Sequence, residues 1–474
     1  MKNLDFIEDG LVKFNYDFPV FNWFYPYDAD ELTDIEVLKN ISSNNIKIFD
    51  YLLESENDVA LYFHIPFCQD ICAFCPFTRE ILQENEKLNM YVEALLQEIE
   101  LKREYLHKKN LKINSIFFGG GTPSILKVEH IEKIGKKINE SFDLSVLKEF
   151  SFEMNAKTVT EDRAKILKKI GVTHVRVGVQ TFSERYRELF CLSATLQQIN
   201  EGIQILKKYF KNVSIDIMYG FNGETIDEFL NDLRNAIKLD VPNISLYPLN
   251  NKSIQTRLIE NYKKANLVPV SGLDRLGFKI IAKEYLAKNN YYPHNGHDFI
   301  KIENQNEIKE FMTDKYMFEY HRTVYGTANS QLIGFGVSAI SFFNSFITLN
   351  ERNIDNYIKN LIENKKCDII IHSYDKQLDY DKPLALYLPY HGKILKSKVD
   401  FNKISKITKQ KLEKLIKLNL VKEYEKEYRL SEVGWLSYVN LLYFLSSEKD
   451  QKLLIELIEE SESRRDIGKW NFKF

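Results

Sequence analysis

"LYFHIPFCQDICAFCPF", residues 61–77, runs an apolar strand candidate straight into a loop that carries Cys68, Cys72 and Cys75. Only two other cysteines, Cys191 and Cys367, occur in the 474 residues. An odd, irregular set of thiols fits a reducing compartment better than a disulfide framework. The three crowded thiols, spaced C-x-x-x-C-x-x-C, are therefore read as metal ligands. They suit a cubane iron–sulfur cluster, in which each iron takes one thiolate, so three ligands leave one iron open. An incomplete coordination shell also marks a reactive zinc. Structural zinc is the competing reading; it needs a fourth ligand, and His64 in the same run could supply one. A hydrogen-bonded histidine of the strand is the plainer account of His64.

Working outward, short β-rich runs alternate with helical ones. "LYFHI" (61–65), "SIFFGG" (115–120), "EFSFEMN" (149–155), "HVRVGVQ" (174–180), "VSIDIMYG" (213–220) and "NISLYPL" (243–249) read as strands. Several are apolar almost throughout, as strands covered on both faces are. "MYVEALLQEIELKREYL" (90–106) and "TIDEFLNDLRNAIKL" (225–239) repeat apolar residues at helical spacing. About six β-then-α units predict an α/β fold, a partial (βα)6 TIM-like barrel over residues 57–300. Reactive groups in such folds gather at the carboxyl ends of the strands. The cysteines follow the first strand, "GGGTPS" the second, Glu153 ends the third, Gln180 the fourth, and Asp216 lies in the fifth.

Residues 1–56 are expected to form an aromatic and helical N-terminal arm, in which "NWFYPY" could fold over the barrel mouth. Residues 301–474 are expected to form a mainly helical C-terminal domain with a winged-helix-like unit near 400–445. Its charges are mixed, which does not point to nucleic acid. Hydrophobic residues make up 44%, charged residues 28%, and the formal net charge is −2. This excludes a coat for nucleic acid or anionic lipid. The acidic start lacks the apolar core of a signal peptide, and no run approaches the ~20 apolar residues of a membrane span, so a cytoplasmic protein is expected.

The cysteine motif, with Phe74 before its last cysteine, resembles the signature of the radical S-adenosylmethionine enzymes. "YFHIPFC", "GGGTPS", "SFEMNA", "VRVGVQTF", "DIMYGFNGET", "ISLYPL" and "IGFGVSAISFF" follow in order. Together with the terminal "RLSEVGWLSYVNLLYFL" they are similar to the oxygen-independent coproporphyrinogen III dehydrogenase-like family. That family includes haem chaperones and two-cofactor methyltransferases. The resemblance implies a [4Fe-4S] cluster on Cys68, Cys72 and Cys75, with S-adenosylmethionine chelated to the open iron. Electron transfer from the cluster would cleave the sulfonium to a 5′-deoxyadenosyl radical.

Residue by residue, the resemblance places Tyr62, Gly120, Glu153 and Ile340 around that nucleotide, with Glu153 accepting from the ribose hydroxyls. It places Phe74, Gly121, Thr122, Gln180, Asp216 and Asn250 around a second S-adenosylmethionine. Three departures stand out: Phe77 where the dehydrogenase has a further cysteine, Leu192 where an arginine would hold a cofactor carboxylate, and Arg322 where a glutamine lies near the substrate. They weigh against porphyrinogen decarboxylation. His297, Asp298, Arg322 and Cys191 are the candidate catalytic residues. "YYPHNGHDFI" (291–300), with His294, is read as a polar loop over the substrate mouth, its paired histidines inviting a second metal less strongly. Cys191 is read first as a small buried residue.

The leading expectation is therefore a two-cofactor methyl- or alkyltransferase acting on a porphyrin-like or natural-product small molecule. Oxidative decarboxylation of coproporphyrinogen III and a haem chaperone are the alternatives. A flavodoxin- or ferredoxin-type electron donor is the expected partner.

Overall fold

The computed structural model describes residues 26, 29–41, 44–54, 58–249 and 255–463. Apart from Pro26, the "NWFYPY" stretch lies outside the described residues, and so does Asn250.

Six strands and their crossover helices form the centre. They are β1 (Val59–Ile65), β2 (Ser115–Gly120), β3 (Glu149–Met154), β4 (His174–Gln180), β5 (Asn212–Tyr219) and β6 (Asn243–Pro248). Each pairs in parallel with the next, from Ala60 against Ser115 through Ser214 against Asn243. Their side chains are buried almost throughout, as the unbroken apolar runs require. Helices α1 (Asn85–Lys108), α2 (Val128–Ser141), α3 (Glu161–Lys169), α4 (Leu196–Tyr209) and α5 (Ile226–Lys238) contribute apolar residues to the same core. Capping boxes start two of them: Thr195 with Gln198, and Thr225 with Glu228. These pairings satisfy backbone N–H groups that the first helical turn leaves open.

The sheet does not end where the sixth unit does. A hairpin, β7 (Tyr291–Pro293) and β8 (Asp298–Lys301), joins β6 antiparallel. On the opposite side β9 (Gln331–Phe335) pairs in parallel with β1. Beyond it β10 (Ile340–Phe343), β11 (Phe346–Asn350) and β12 (Ile369–Ser373) continue antiparallel to the short strand Asp30–Glu31. The result is one sheet of thirteen strands. The boundary expected at residue 300 is thus not an edge of the sheet, because the exposed side of β1 is completed by a strand thirty residues later.

A buried ion pair fixes that addition. Lys102 Nζ lies 2.6 Å from Glu98 Oε1, both side chains fully buried on α1. Lys102 also donates to Gly334 O (2.6 Å), while Glu98 accepts from Gly336 N and Tyr357 OH (each 2.7 Å). Asn350 bridges both residues.

The C-terminal region is helical with a small sheet. A helical run over 377–391, with a π-helical turn at Pro383–Tyr387, precedes β13 (Lys393–Leu395), helix α6 (Lys406–Lys417), β14 (Val421–Glu423) and β15 (Glu427–Leu430). The three strands form a small antiparallel sheet. This region packs on the barrel: Trp435 Nε1 donates to Asn295 O (2.7 Å), and Lys279, held over the Trp435 ring, donates to Trp435 O (2.9 Å). No helix among the described residues is long and apolar enough to cross a membrane.

Candidate functional site

The cysteine loop leaves β1 through Pro66 and is pinned at several points. Ala73 N donates to Phe190 O (2.9 Å), Gln255 N to Ala73 O (3.0 Å), and Gln255 Nε2 to Cys75 O (2.9 Å). Under it lies a separate apolar cluster of Ala73, Tyr186, Phe190, Phe221, Leu258 and Tyr262, with Phe74 and Leu192 packed against it. Phe74 meets Phe190 edge-on, ring centres 5.6 Å apart. Loop and cluster together set where the three thiols stand.

Cys68 is buried, and Cys72 and Cys75 are partly exposed; all are free thiols. Burial raises all three above the ordinary thiol range, Cys72 to about 12, while the Arg79 guanidinium pulls the other way. Thr122 Oγ1 donates to Cys68 Sγ (3.3 Å). Thiols so placed ionise when a metal takes the proton's place.

The geometry decides between the two metal readings. His64 cannot be a zinc ligand, because its Nε2 lies 2.9 Å from Thr78 O and its Nδ1 3.0 Å from Tyr62 OH. The carbonyl must accept, so Nε2 carries the proton and Nδ1 accepts from the tyrosine. Burial lowers this imidazole to about 4, which keeps it neutral. Among the described residues, the three cysteine sulfurs do not gather within 4.8 Å of one another, as the ligands of one ion would. One tetrahedral zinc with thiolate bonds of ~2.3 Å would hold them at ~3.8 Å. The donor set fits a cubane cluster.

Gly119, Gly120 and Gly121 make room beside the loop. Gly120 sits at φ +107°, and a Cβ there would come 2.7 Å from the His64 ring. Gly121 N donates to Ile65 O (2.8 Å), so this turn and the end of β1 lie flat together. A side chain on Gly119 would meet both Glu153 Oε2 (3.1 Å) and Tyr62 (3.3 Å). Tyr62, the glycine turn and Glu153 therefore form one surface at the carboxyl ends of β1, β2 and β3. Burial, with the Asp216 charge adding and Arg176 opposing, raises Glu153 to about 7. Ile340 is partly buried at the start of β10.

Gln180 ends β4 at φ +71°, next to a register shift between Gly178 and Gln180. Asp216 is not free. Arg176, a buried guanidinium pointing inward from β4, donates from Nη2 to Asp216 Oδ1 (3.1 Å), Ser245 Oγ (3.1 Å) and Tyr247 OH (2.9 Å). Sequence reading passed over Arg176. The signal was a lone cation in a strand otherwise reading as buried, which needs a partner.

Two further expectations are corrected. His294, His297 and Asp298 are not a polar loop over an opening: they are 2%, 4% and 0% exposed. Trp435 and the C-terminal helices cover them, and Asp298 starts β8. Cys191 is partly exposed rather than buried, at φ +57°, and lines a surface cavity of about 430 Å³ with Asp70, Ile71 and Leu192 beside the cysteine loop. Arg322 pairs with Glu319 (2.7 Å) and stacks on Tyr316.

Residues 62–236 match the family model described as the Radical SAM superfamily. The heme chaperone HemW of Lactococcus lactis subsp. lactis (strain IL1403) is 26% identical over 328 residues, covering 69% of this chain and 80% of that protein. HemW of Bacillus subtilis (strain 168) is 29% identical over 310 residues, 64% and 76% of the two chains. The oxygen-independent coproporphyrinogen III oxidase of Escherichia coli (strain K12) is 25% identical over 318 residues, 65% and 66%. The solved coproporphyrinogen III oxidase HemN from Escherichia coli superposes with a TM-score of 0.71 at 19% identity, over 89% of this chain and 97% of that one. The leading expectation of methyl or alkyl transfer gains no support from these relatives, whose names favour the alternatives.

Proposed function

Because this chain is a radical SAM protein of the coproporphyrinogen III oxidase-like HemN/HemW family, we propose that it is a haem-binding protein of the HemW kind, holding one cluster and one S-adenosylmethionine. The observation that carries this reading is the ion pair between Arg176 and Asp216. It engages Oδ1, one of the two oxygens of the carboxylate on which a second nucleotide would depend, while Leu192 offers no cation to that nucleotide's own carboxylate. Without a second cofactor, the two-nucleotide reactions lose their footing.

In this reading Cys68, Cys72 and Cys75 would hold the [4Fe-4S] cluster, which would supply one-electron chemistry when bound. Gly120 keeps side chains away from the methionine part, Glu153 accepts from the ribose hydroxyls, and Tyr62 closes the adenosine side. Phe77 and Ile81 are exposed next to the cysteine loop, and their apolar surface supports the expectation of a flavodoxin- or ferredoxin-type donor there.

Glu153 makes nucleotide binding depend on pH. Its raised value of about 7 means that the carboxylate is lost as pH falls below neutrality. S-adenosylmethionine is therefore expected to bind the reconstituted protein up to about tenfold more tightly at pH 8 than at pH 6. Equilibrium dialysis at both values measures this; an equal pH response in Glu153→Gln would remove Glu153 from the nucleotide site.

The second reading is oxidative decarboxylation of coproporphyrinogen III. Supporting it are the relative named as an oxygen-independent coproporphyrinogen III oxidase, 25% identical over 318 residues, and a fold shared over 97% of the solved oxidase. Anaerobic reconstitution separates the two. Saturable haem binding with one nucleotide per chain, and no carbon dioxide from coproporphyrinogen III, supports the first. Two nucleotides per chain and release of carbon dioxide would replace it with the second.

A further inference from the structure

Away from the cysteine loop, four polar atoms converge beneath the C-terminal helices. His297 comes from the turn between β7 and β8, Asp298 from the start of β8, His321 from the helix Glu319–Val324, and Tyr390 from Leu388–His391. We propose that these four side chains form a closed, structural zinc site that ties the C-terminal region to the barrel.

The distances are those of ligands around an ion. Asp298 Oδ2 is 3.6 Å from His297 Nε2 and 3.5 Å from His321 Nδ1. Tyr390 Oη is 3.2 Å from the same His297 nitrogen and 3.1 Å from the same His321 nitrogen. The His297–Asp298 gap is too long for a hydrogen bond, and the His321–Asp298 contact sits at the outer limit of one. The two hydroxyl–imidazole contacts lie at the long end of the ~2.7–3.2 Å range of nitrogen–oxygen hydrogen bonds. A tetrahedron of zinc bonds near ~2.0–2.1 Å has edges of ~3.3–3.4 Å, close to all four separations. His297, Asp298 and His321 form the only group of three or more metal-ligating side chains that meets at this spacing among the described residues.

The surroundings match such a site. The four residues are 4%, 0%, 8% and 0% exposed, so they form a shell closed to water, as structural zinc sites are. His297 faces the other three atoms through Nε2. Asn295 supplies an outer shell: its Nδ2 donates to Asp298 Oδ2 (2.6 Å), and its Oδ1 accepts from the backbone N–H groups of His297 (3.0 Å) and Asp298 (2.8 Å). Arg176, the nearest cation, faces the other carboxylate oxygen of Asp298 at 3.9 Å and is itself paired with Asp216. With Asp298 ionised and the Tyr390 phenol releasing its proton to solvent on binding, the ion's two charges are matched.

Zinc also binds free cysteines, so the test uses the full chain with Cys68→Ser, Cys72→Ser and Cys75→Ser, alongside the cluster-reconstituted wild type. After growth with zinc, both are expected to retain about one zinc per chain, with an absorption-edge signature of nitrogen and oxygen neighbours near ~2.0 Å and no sulfur near ~2.3 Å. His321→Gln in the triple-serine chain is expected to lower zinc at least tenfold. Wild-type protein that still lacks zinc after loading, a sulfur shell in reconstituted wild type, or unchanged zinc in His321→Gln would each overturn the proposal. The spectrum of the unsubstituted site answers the question even if that variant does not fold.

Discussion

Replacing Glu98 by alanine is expected to lower folding stability by about 3–5 kcal/mol, the loss typical when one partner of a buried ion pair is removed. The carboxylate meets four groups at once: Lys102, Gly336 N, Asn350 and Tyr357. Without it the Lys102 ammonium stays buried against Gly334 O with its charge unmatched. Replacing both members, with Glu98→Gln and Lys102→Met, is expected to recover much of the loss, because no orphan charge is left. Urea denaturation of the three proteins checks this. If the double variant is as unstable as Glu98→Ala, burial of charge is not the cause.

Replacing Arg176 by leucine is expected to have an effect of similar size that depends on pH. The guanidinium is 3% exposed, stacks against Phe318 and stands between Asp216 and Asp298. It also opposes the burial that raises Glu153, so its removal moves Glu153 further above its present value of about 7. An acid raised on folding contributes stability below its unfolded value and loses it as pH climbs through the folded value. The deficit of Arg176→Leu against wild type, again about 3–5 kcal/mol at neutral pH, should therefore shrink toward pH 5.5 and be larger at pH 8. Nucleotide affinity should require a more alkaline medium than in wild type. Denaturation at both pH values tests the first statement and dialysis the second; a deficit of constant size would remove the electrostatic account.

The six central strands were legible because buried parallel strands are written as nearly unbroken Val, Ile and Phe runs; "SIFFGG" and "HVRVGVQ" coincide with β2 and β4 to the residue. The cysteine loop was legible because ligand spacing is local. What could not be read is non-local. "QLIGF" becomes the parallel neighbour of β1 only through a pairing across more than 270 residues, and nothing in its own pattern names that neighbour. The Arg176–Asp216 pair joins two strands whose register fixes which inward residues meet. Tyr390 was missed beside His297 and His321, because residues nearly 70 and more apart meet only once the C-terminal helices are in place. Burial of His294 and His297 was missed for the same reason: a turn rich in polar residues reads as exposed until something covers it.

The parallel pairing of β9 with β1 has a consequence for how the protein is made. A nascent chain that has delivered only the six barrel strands carries β1, and the loop hanging from it, on a bare edge whose backbone groups await a partner. That partner emerges some 270 residues after β1 was synthesised. Iron loaded earlier would enter a loop whose supporting strand is still open on one side, so completion of the sheet is the step after which the cysteines can be metallated on a finished frame.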